Sequence, residues 1–197
     1  MTIRQQPVES PLHTELLADV LWQRVGRTSL EHCRLSRSPG KFVLQGVLLV
    51  QAEAAPRQIH YGVSCGRDWV TRAIHVTMIQ GRHIRRLHLE RDHLGIWRRG
   101  SEVLPEFAGL IDVDLQITPS TNTLPIRRLR LGEGESADTD ALWIRFPDLS
   151  LERLTQRYTR TGELRYTYES RGGAFRADLE VDEEGVVVRY GDIWRRV

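Results

Sequence analysis

Phe175-Arg176-Ala177-Asp178-Leu179-Glu180-Val181-Asp182 alternates apolar and polar residues without an error. Ile111-Asp112-Val113-Asp114-Leu115-Gln116-Ile117-Thr118 repeats the pattern, and Leu164-Arg165-Tyr166-Thr167-Tyr168-Glu169 does so with aromatics. A period of two sends one set of side chains to a core and the other into water, as in half-buried antiparallel strands. On a helix the same apolar positions would be scattered around the circumference. These stretches predict a mostly β protein.

Turn chemistry separates the alternating runs: Ser38-Pro39-Gly40, Gln80-Gly81, Asp92-His93-Leu94-Gly95, Thr161-Gly162, Gly172-Gly173 and Glu184-Gly185. Several are short enough to close hairpins. Strands are expected near residues 20–25, 30–37, 41–51, 57–64, 69–79, 83–91, 95–99, 110–118, 125–131, 141–146, 151–160, 163–171, 174–182 and 186–196. Only Pro11–Val20 and Leu104–Leu110 read as short helices. The hairpin spacing predicts an antiparallel meander without a βαβ crossover or a parallel sheet.

Two segments break the rhythm. Residues 132–140, Gly-Glu-Gly-Glu-Ser-Ala-Asp-Thr-Asp, are acidic and read as a mobile loop. Thr118-Pro119-Ser120-Thr121-Asn122-Thr123-Leu124-Pro125 reads as an ordered polar loop, because its two prolines fix φ and lower the entropy of the free chain. A chain of 197 residues is expected to form one domain spanning 1–197. Asp92-His93-Leu94-Gly95-Ile96-Trp97 is echoed by Asp182-Glu183-Glu184-Gly185-Val186 with Ile193-Trp194. The echo allows two similar meanders, about 20–105 and 125–197, joined by the 110–125 segment.

Composition narrows the function classes. Twenty-eight basic residues nearly cancel 26 acidic ones, and Lys41 is the sole lysine. The arginines are interleaved with carboxylates along the chain, whereas a nucleic-acid binder concentrates its charge in a stripe; no nucleic-acid partner is expected. Cys33 and Cys65 form no CxxC pair and read as buried free thiols. The first residues lack a basic start, an apolar run and a small-residue cleavage site. No stretch approaches the ~20 apolar residues of a membrane span. A cytoplasmic location is the expectation.

Few residue patterns carry chemistry. His75, His83, His88 and His93 are close in sequence, but strand geometry scatters them over both faces and along the strand, so no metal site is expected and no cofactor is implied. No GxSxG elbow is present, and neither cysteine has an activating histidine at a known spacing. The best candidate is the segment Asp112 to Arg128. Asp112 and Asp114 project from one face of a strand, roughly 7 Å apart at the backbone. Paired carboxylates can perform acid–base work or hydrolyse glycosides; as the wet positions of an amphipathic strand they would do neither. Thr118, Thr121, Asn122 and Thr123 supply short groups that donate and accept hydrogen bonds, and Arg127 or Arg128 could hold an oxyanion bidentately. Such a rim matches a polyhydroxylated head group. The plainer reading is that these side chains satisfy the loop's own backbone. Trp143, before the strand-ending Pro147, could line the mouth of a cavity, although burial in the core is the plainer reading; Trp22, Trp69, Trp97 and Trp194 read as core.

Asp112-Val-Asp-Leu-Gln-Ile-Thr-Pro-Ser-Thr-Asn-Thr-Leu-Pro-Ile-Arg-Arg128, Trp143-Ile-Arg-Phe-Pro-Asp-Leu149 and Tyr190-Gly-Asp-Ile-Trp194 together resemble the glycolipid-binding family of uncharacterised bacterial proteins. The likeness runs over nearly the whole chain. It implies a strongly curved spiral β-roll, similar in outline to lipoprotein carrier proteins, and a lipid or glycolipid ligand; it brings no catalytic residues. The reading that follows is a non-enzymatic binder of an amphiphile, with an apolar cavity and a polar rim formed by Asp112, Asp114, Thr118, Thr121, Asn122, Thr123, Arg127, Arg128 and Trp143. Two rivals stand beside it: an acid/base enzyme on a small sugar-like metabolite using Asp112 or Asp114, and a protein-interaction module using a sheet edge. A carboxylate buried in a cleft with a raised pKa would favour the enzyme.

Overall fold

Most of the alternating runs are strands in the computed structural model, which describes residues 14–197. In chain order they are β1 (Glu15–Arg24), β2 (Ser29–Ser38), β3 (Lys41–Val50), β4 (Arg57–Gly66), β5 (Thr71–Gln80), β6 (His83–Arg91), β7 (Trp97–Arg99), β8 (Glu102–Leu104), β9 (Asp112–Leu115), β10 (Ser136–Ile144), β11 (Leu151–Gly162), β12 (Arg165–Ser170), β13 (Phe175–Val181), β14 (Val187–Tyr190) and β15 (Trp194–Arg196). One α-helix, α1 (Thr123–Leu129), interrupts them, with 3-10 turns at Pro105–Phe107 and Ser120–Asn122.

All fifteen strands belong to one curved, unclosed sheet ordered β8-β7-β6-β5-β4-β3-β2-β1-β15-β14-β13-β12-β11-β10-β9. This is the expected β-roll. β1 and β15 pair in the middle, with Trp22 opposite Arg196, so backbone hydrogen bonds join the sheet's two halves. The core face follows the period of two. On β2, Ser29, Glu31, Cys33 and Leu35 are buried while Leu30, His32 and Arg34 are exposed. Trp22, Trp97, Leu44, Leu48, Ile59 and Leu89 fill the same interior, joined by the buried Trp69 and Trp194. Burying each such side chain is worth about 1.5–3 kcal/mol.

Four expectations need correction. The 11–20 helix is strand from Glu15 onward, with residues 11–13 outside the described part. Pairing to β2 along Glu15–Gln23 holds this stretch extended. The 132–140 loop is largely β10. Its two aspartates are matched across the ladder, Arg157 holding Asp138 at 2.7 Å and Arg153 holding Asp140 at 3.1 Å. The 125–131 strand is instead the end of α1. Pro125 sits in the first helical turn, where a backbone N–H is dispensable; in a central strand it would remove a ladder hydrogen bond. Finally, β9 and β10 run parallel, Ala141 opposite Asp112 and Ile144 opposite Leu115. Residues 116–135, with α1 inside them, supply the crossover that a parallel pair requires.

Among the described residues no helix is long and apolar enough to cross a membrane.

Candidate functional site

Thr118-Pro119-Ser120-Thr121-Asn122-Thr123-Leu124-Pro125-Ile126 is buried at every position. A polar run inside a protein must find partners for its backbone and hydroxyls. The 3-10 turn and α1 satisfy much of the backbone, and the side chains reach distant strands. Thr118 Oγ1 donates to Glu31 Oε1 on β2 at 2.6 Å. Thr121 Oγ1 accepts Leu115 N–H at 3.3 Å. Asn122 Nδ2 donates to Pro119 O, and its Oδ1 accepts from Tyr158 on β11, both at 2.9 Å. The segment is a polar plug against the concave face of the sheet, where a surface loop was expected.

Glu31 is the hub of the plug's attachment. It shares its strand face with Cys33 and Leu35 and is wholly buried. Tyr61 reaches it across β3, donating to Oε1 at 2.6 Å. Gly46 makes the reach possible: a Cβ there would stand 2.5 Å from the Tyr61 hydroxyl. Burial pushes the Glu31 carboxyl up to about 8, against the opposing hydrogen bonds from Thr118 and Tyr61. At neutral pH it is a neutral acid held in the core.

The two aspartates have parted company. β9 is buried on both faces, as parallel strands are, so neither occupies the wet side of an amphipathic strand. Asp112 is fully buried and chelated by Arg128, whose Nη2 lies 2.5 Å from Oδ2 and whose Nε lies 3.2 Å from Oδ1. Thr139 completes its shell at 2.9 Å. A guanidinium so engaged is committed to its carboxylate. Asp114 instead keeps part of its surface open to a cleft while neighbouring atoms enclose the rest. Gln156 Nε2 donates to its Oδ2 at 2.8 Å and shares that group with the Tyr168 hydroxyl at 2.9 Å. Burial lifts the Asp114 carboxyl to about 7, opposed by the Gln156 hydrogen bond.

The cleft has a volume of about 210 Å³, and Asp114, Gln116, Thr118, Asn122, Trp143 and Tyr190 are among its lining residues. Tyr168 and Phe175 complete an aromatic wall. Tyr168, Phe175 and Tyr190 meet edge to face at 5.9–6.2 Å between ring centres, a geometry that rigidifies aromatic clusters. Burial raises the Tyr168 and Tyr190 hydroxyls above their ordinary value, so both remain protonated donors. Arg145 stacks over Trp143 at 5.0 Å. Such a site offers flat apolar faces, one carboxylic acid and hydroxyl and amide groups within a small space.

Of the residues singled out from sequence, Asp114, Thr118, Asn122 and Trp143 meet here. Asp112, Thr121 and Thr123 lie in the interior, and the half-buried Arg128 is paired to Asp112. Arg127 points to another cleft, 5.4 Å over the Trp69 ring and hydrogen-bonded to Glu183 O. Gln156, Tyr168, Phe175 and Tyr190 were not singled out as site residues from the sequence. Gln156 had a signal, because it shares phase with Leu154 and Tyr158 on the core face of β11. The histidines regroup modestly: His75 faces His88 across the β5–β6 ladder, and no group of three potential metal ligands converges among the described residues.

A comparison with family models matches residues 19–196 to the family described as "Putative glycolipid-binding". Among solved structures, a DUF1089 family protein from Pseudomonas aeruginosa superposes with a TM-score of 0.78 at 35% sequence identity. The match covers 89% of this chain and 95% of that one. No curated protein matches the chain.

Proposed function

The chain belongs to the glycolipid-binding family, and from that premise we propose that it is a non-enzymatic binder of an amphiphile, a glycolipid or other acylated molecule, whose head group enters the Asp114 cleft. One observation carries this reading: a carboxylic acid, Asp114, faces a cleft walled by Trp143, Tyr168, Phe175 and Tyr190. Aromatic faces pack on the apolar side of a sugar ring, while the Asp114 carboxyl accepts from adjacent hydroxyls and, when protonated, donates as well. At about 210 Å³ the cleft is smaller than the roughly 300–1,000 Å³ of drug-sized sites. It has room for a single ring, and an acyl chain would stay outside it. Native mass spectrometry followed by organic extraction should find a co-purifying amphiphile. Titration with octyl glucoside, read by tryptophan fluorescence, should saturate and weaken about tenfold in Trp143→Ala, the loss of roughly one stacking contact. A clean apo mass together with no saturable response overturns the proposal.

A second reading has its own support in the raised pKa of Asp114, which suits a general acid or base near neutral pH. Its substrate would be a small sugar-like metabolite. Asp112 does not serve as the second carboxylate, because Arg128 neutralises it. Turnover of nitrophenyl glycosides that disappears in Asp114→Asn would favour this reading over simple binding.

A further inference from the structure

A second concavity begins where the Asp114 cleft ends. Gln116 lines both, and the second, of about 730 Å³, is walled by Arg24, Arg27, Arg57, Val50, Ile117 and Phe146. Arg24 ends β1, Arg27 sits in the following turn and Arg57 opens β4, so sheet pairing brings the three together. Arg128, Arg153, Arg157 and Arg196 are each matched by an aspartate. Among the described residues, none of the ion pairs involves Arg24, Arg27 or Arg57. Glu53, the carboxylate on this lining, is exposed.

Two of the three arginines, Arg24 and Arg57, are also partly withdrawn from water, while Arg27 stays exposed. Arg57 Nε is buried with no hydrogen-bond partner. Arg24 lies against the Trp194 ring, 5.8 Å from its centre, and its pKa is lowered first by burial and then by the charge of Arg27. Like charges gathered in a partly buried cleft repel one another, and an anion among them relieves the repulsion. Guanidinium forks match the oxygens of a tetrahedral oxyanion.

We infer that the Arg24–Arg27–Arg57 cleft is an anion subsite that takes a phosphate or sulfate group of an amphiphile whose sugar-like part occupies the neighbouring Asp114 cleft. Val50, Ile117 and Phe146 give the adjoining methylenes an apolar wall. The sugar-like part of this assignment rests on the function proposed above; the anion subsite stands on the arginines alone.

Dodecyl phosphate, inorganic phosphate and octyl glucoside, titrated separately into the full chain by calorimetry, separate the possibilities. Wild type should bind dodecyl phosphate, with affinity falling as salt is added. Arg57→Gln should weaken it about tenfold, and the triple variant Arg24→Gln/Arg27→Gln/Arg57→Gln roughly a hundredfold. Arg85→Gln, exposed on β6, controls for net charge and should change nothing. Octyl glucoside affinity should be the same in wild type and triple variant, which also shows that the variant is folded. Equal dodecyl phosphate affinity in wild type and triple variant overturns the subsite. Inorganic phosphate binding as tightly as dodecyl phosphate overturns the amphiphile and makes the free anion the ligand. Arginine-dependent binding of dodecyl phosphate without any octyl glucoside binding keeps the subsite and overturns the reading of the Asp114 cleft.

Discussion

Asp114→Asn removes an ionisable proton from the cleft while nearly preserving the shape of the side chain. Burial lifts this carboxyl from 3.8 to about 7. A difference of roughly three units is worth about 4 kcal/mol at 1.36 kcal/mol per unit, an upper figure because Asp114 keeps some contact with the cleft. The folded chain holds the proton more tightly than the unfolded chain. The stabilisation is therefore complete below about pH 4 and is lost as pH rises through about 7. Glu31, lifted from 4.5 to about 8, acts with the same sign and extends the loss to more alkaline pH. For a chain of this size 1 kcal/mol moves Tm by about 2–4 °C. Between mild acid and mild alkali, wild-type Tm should fall by up to about 8–16 °C more than that of Asp114→Asn. Calorimetric melts of wild type, Asp114→Asn and Glu31→Gln over that range provide the assay, and carboxyl NMR gives the titration directly. Parallel pH profiles for wild type and Asp114→Asn, or an Asp114 carboxyl titrating near its ordinary value, would refute the reasoning.

Two further outcomes follow from burial alone. Arg128→Leu leaves Asp112, which is 0% exposed, as an uncompensated charge and should destabilise by about 3–5 kcal/mol in urea unfolding. The double variant Asp112→Leu/Arg128→Leu should lose clearly less, and equal losses would contradict the account. Cys33 and Cys65 are buried, and burial raises both thiols, Cys65 to about 12. A thiol reagent at mildly alkaline pH should meet neither in the native protein and both after unfolding; rapid native reaction would show an open interior.

Alternation in β12 and β13 was legible because a strand's period depends on its own residues. Turn residues likewise marked the hairpins, and Trp22 and Trp97, read as core residues of strands, are buried. Residues 118–126 were harder. Their hydroxyls and amide read as a solvent-facing rim, and Pro125 with its neighbours read as the start of a strand. Four of these residues proved to serve packing in whole or in part: Thr118 ties down to Glu31, Asn122 to Tyr158, and Thr121 and Thr123 lie inside. Arg128 was read as a ligand fork, and Asp112 already occupies it.

The sequence by itself determined that the chain would be mostly β, with hairpin-linked strands carrying aromatic and aliphatic residues on one face, because local sterics and period-two hydrophobicity decide strand formation within a few residues. Only the tertiary structure decided what that face encloses. Thr118 meets a glutamate 87 residues away and Asn122 a tyrosine 36 residues away, partners that no local pattern can name. The same applies to Arg24, Arg27 and Arg57, which are ordinary charges in the sequence and line one cleft in the folded chain. Whether a polar group is wet, satisfied or left facing a cleft depends on which strands the curled sheet brings over it.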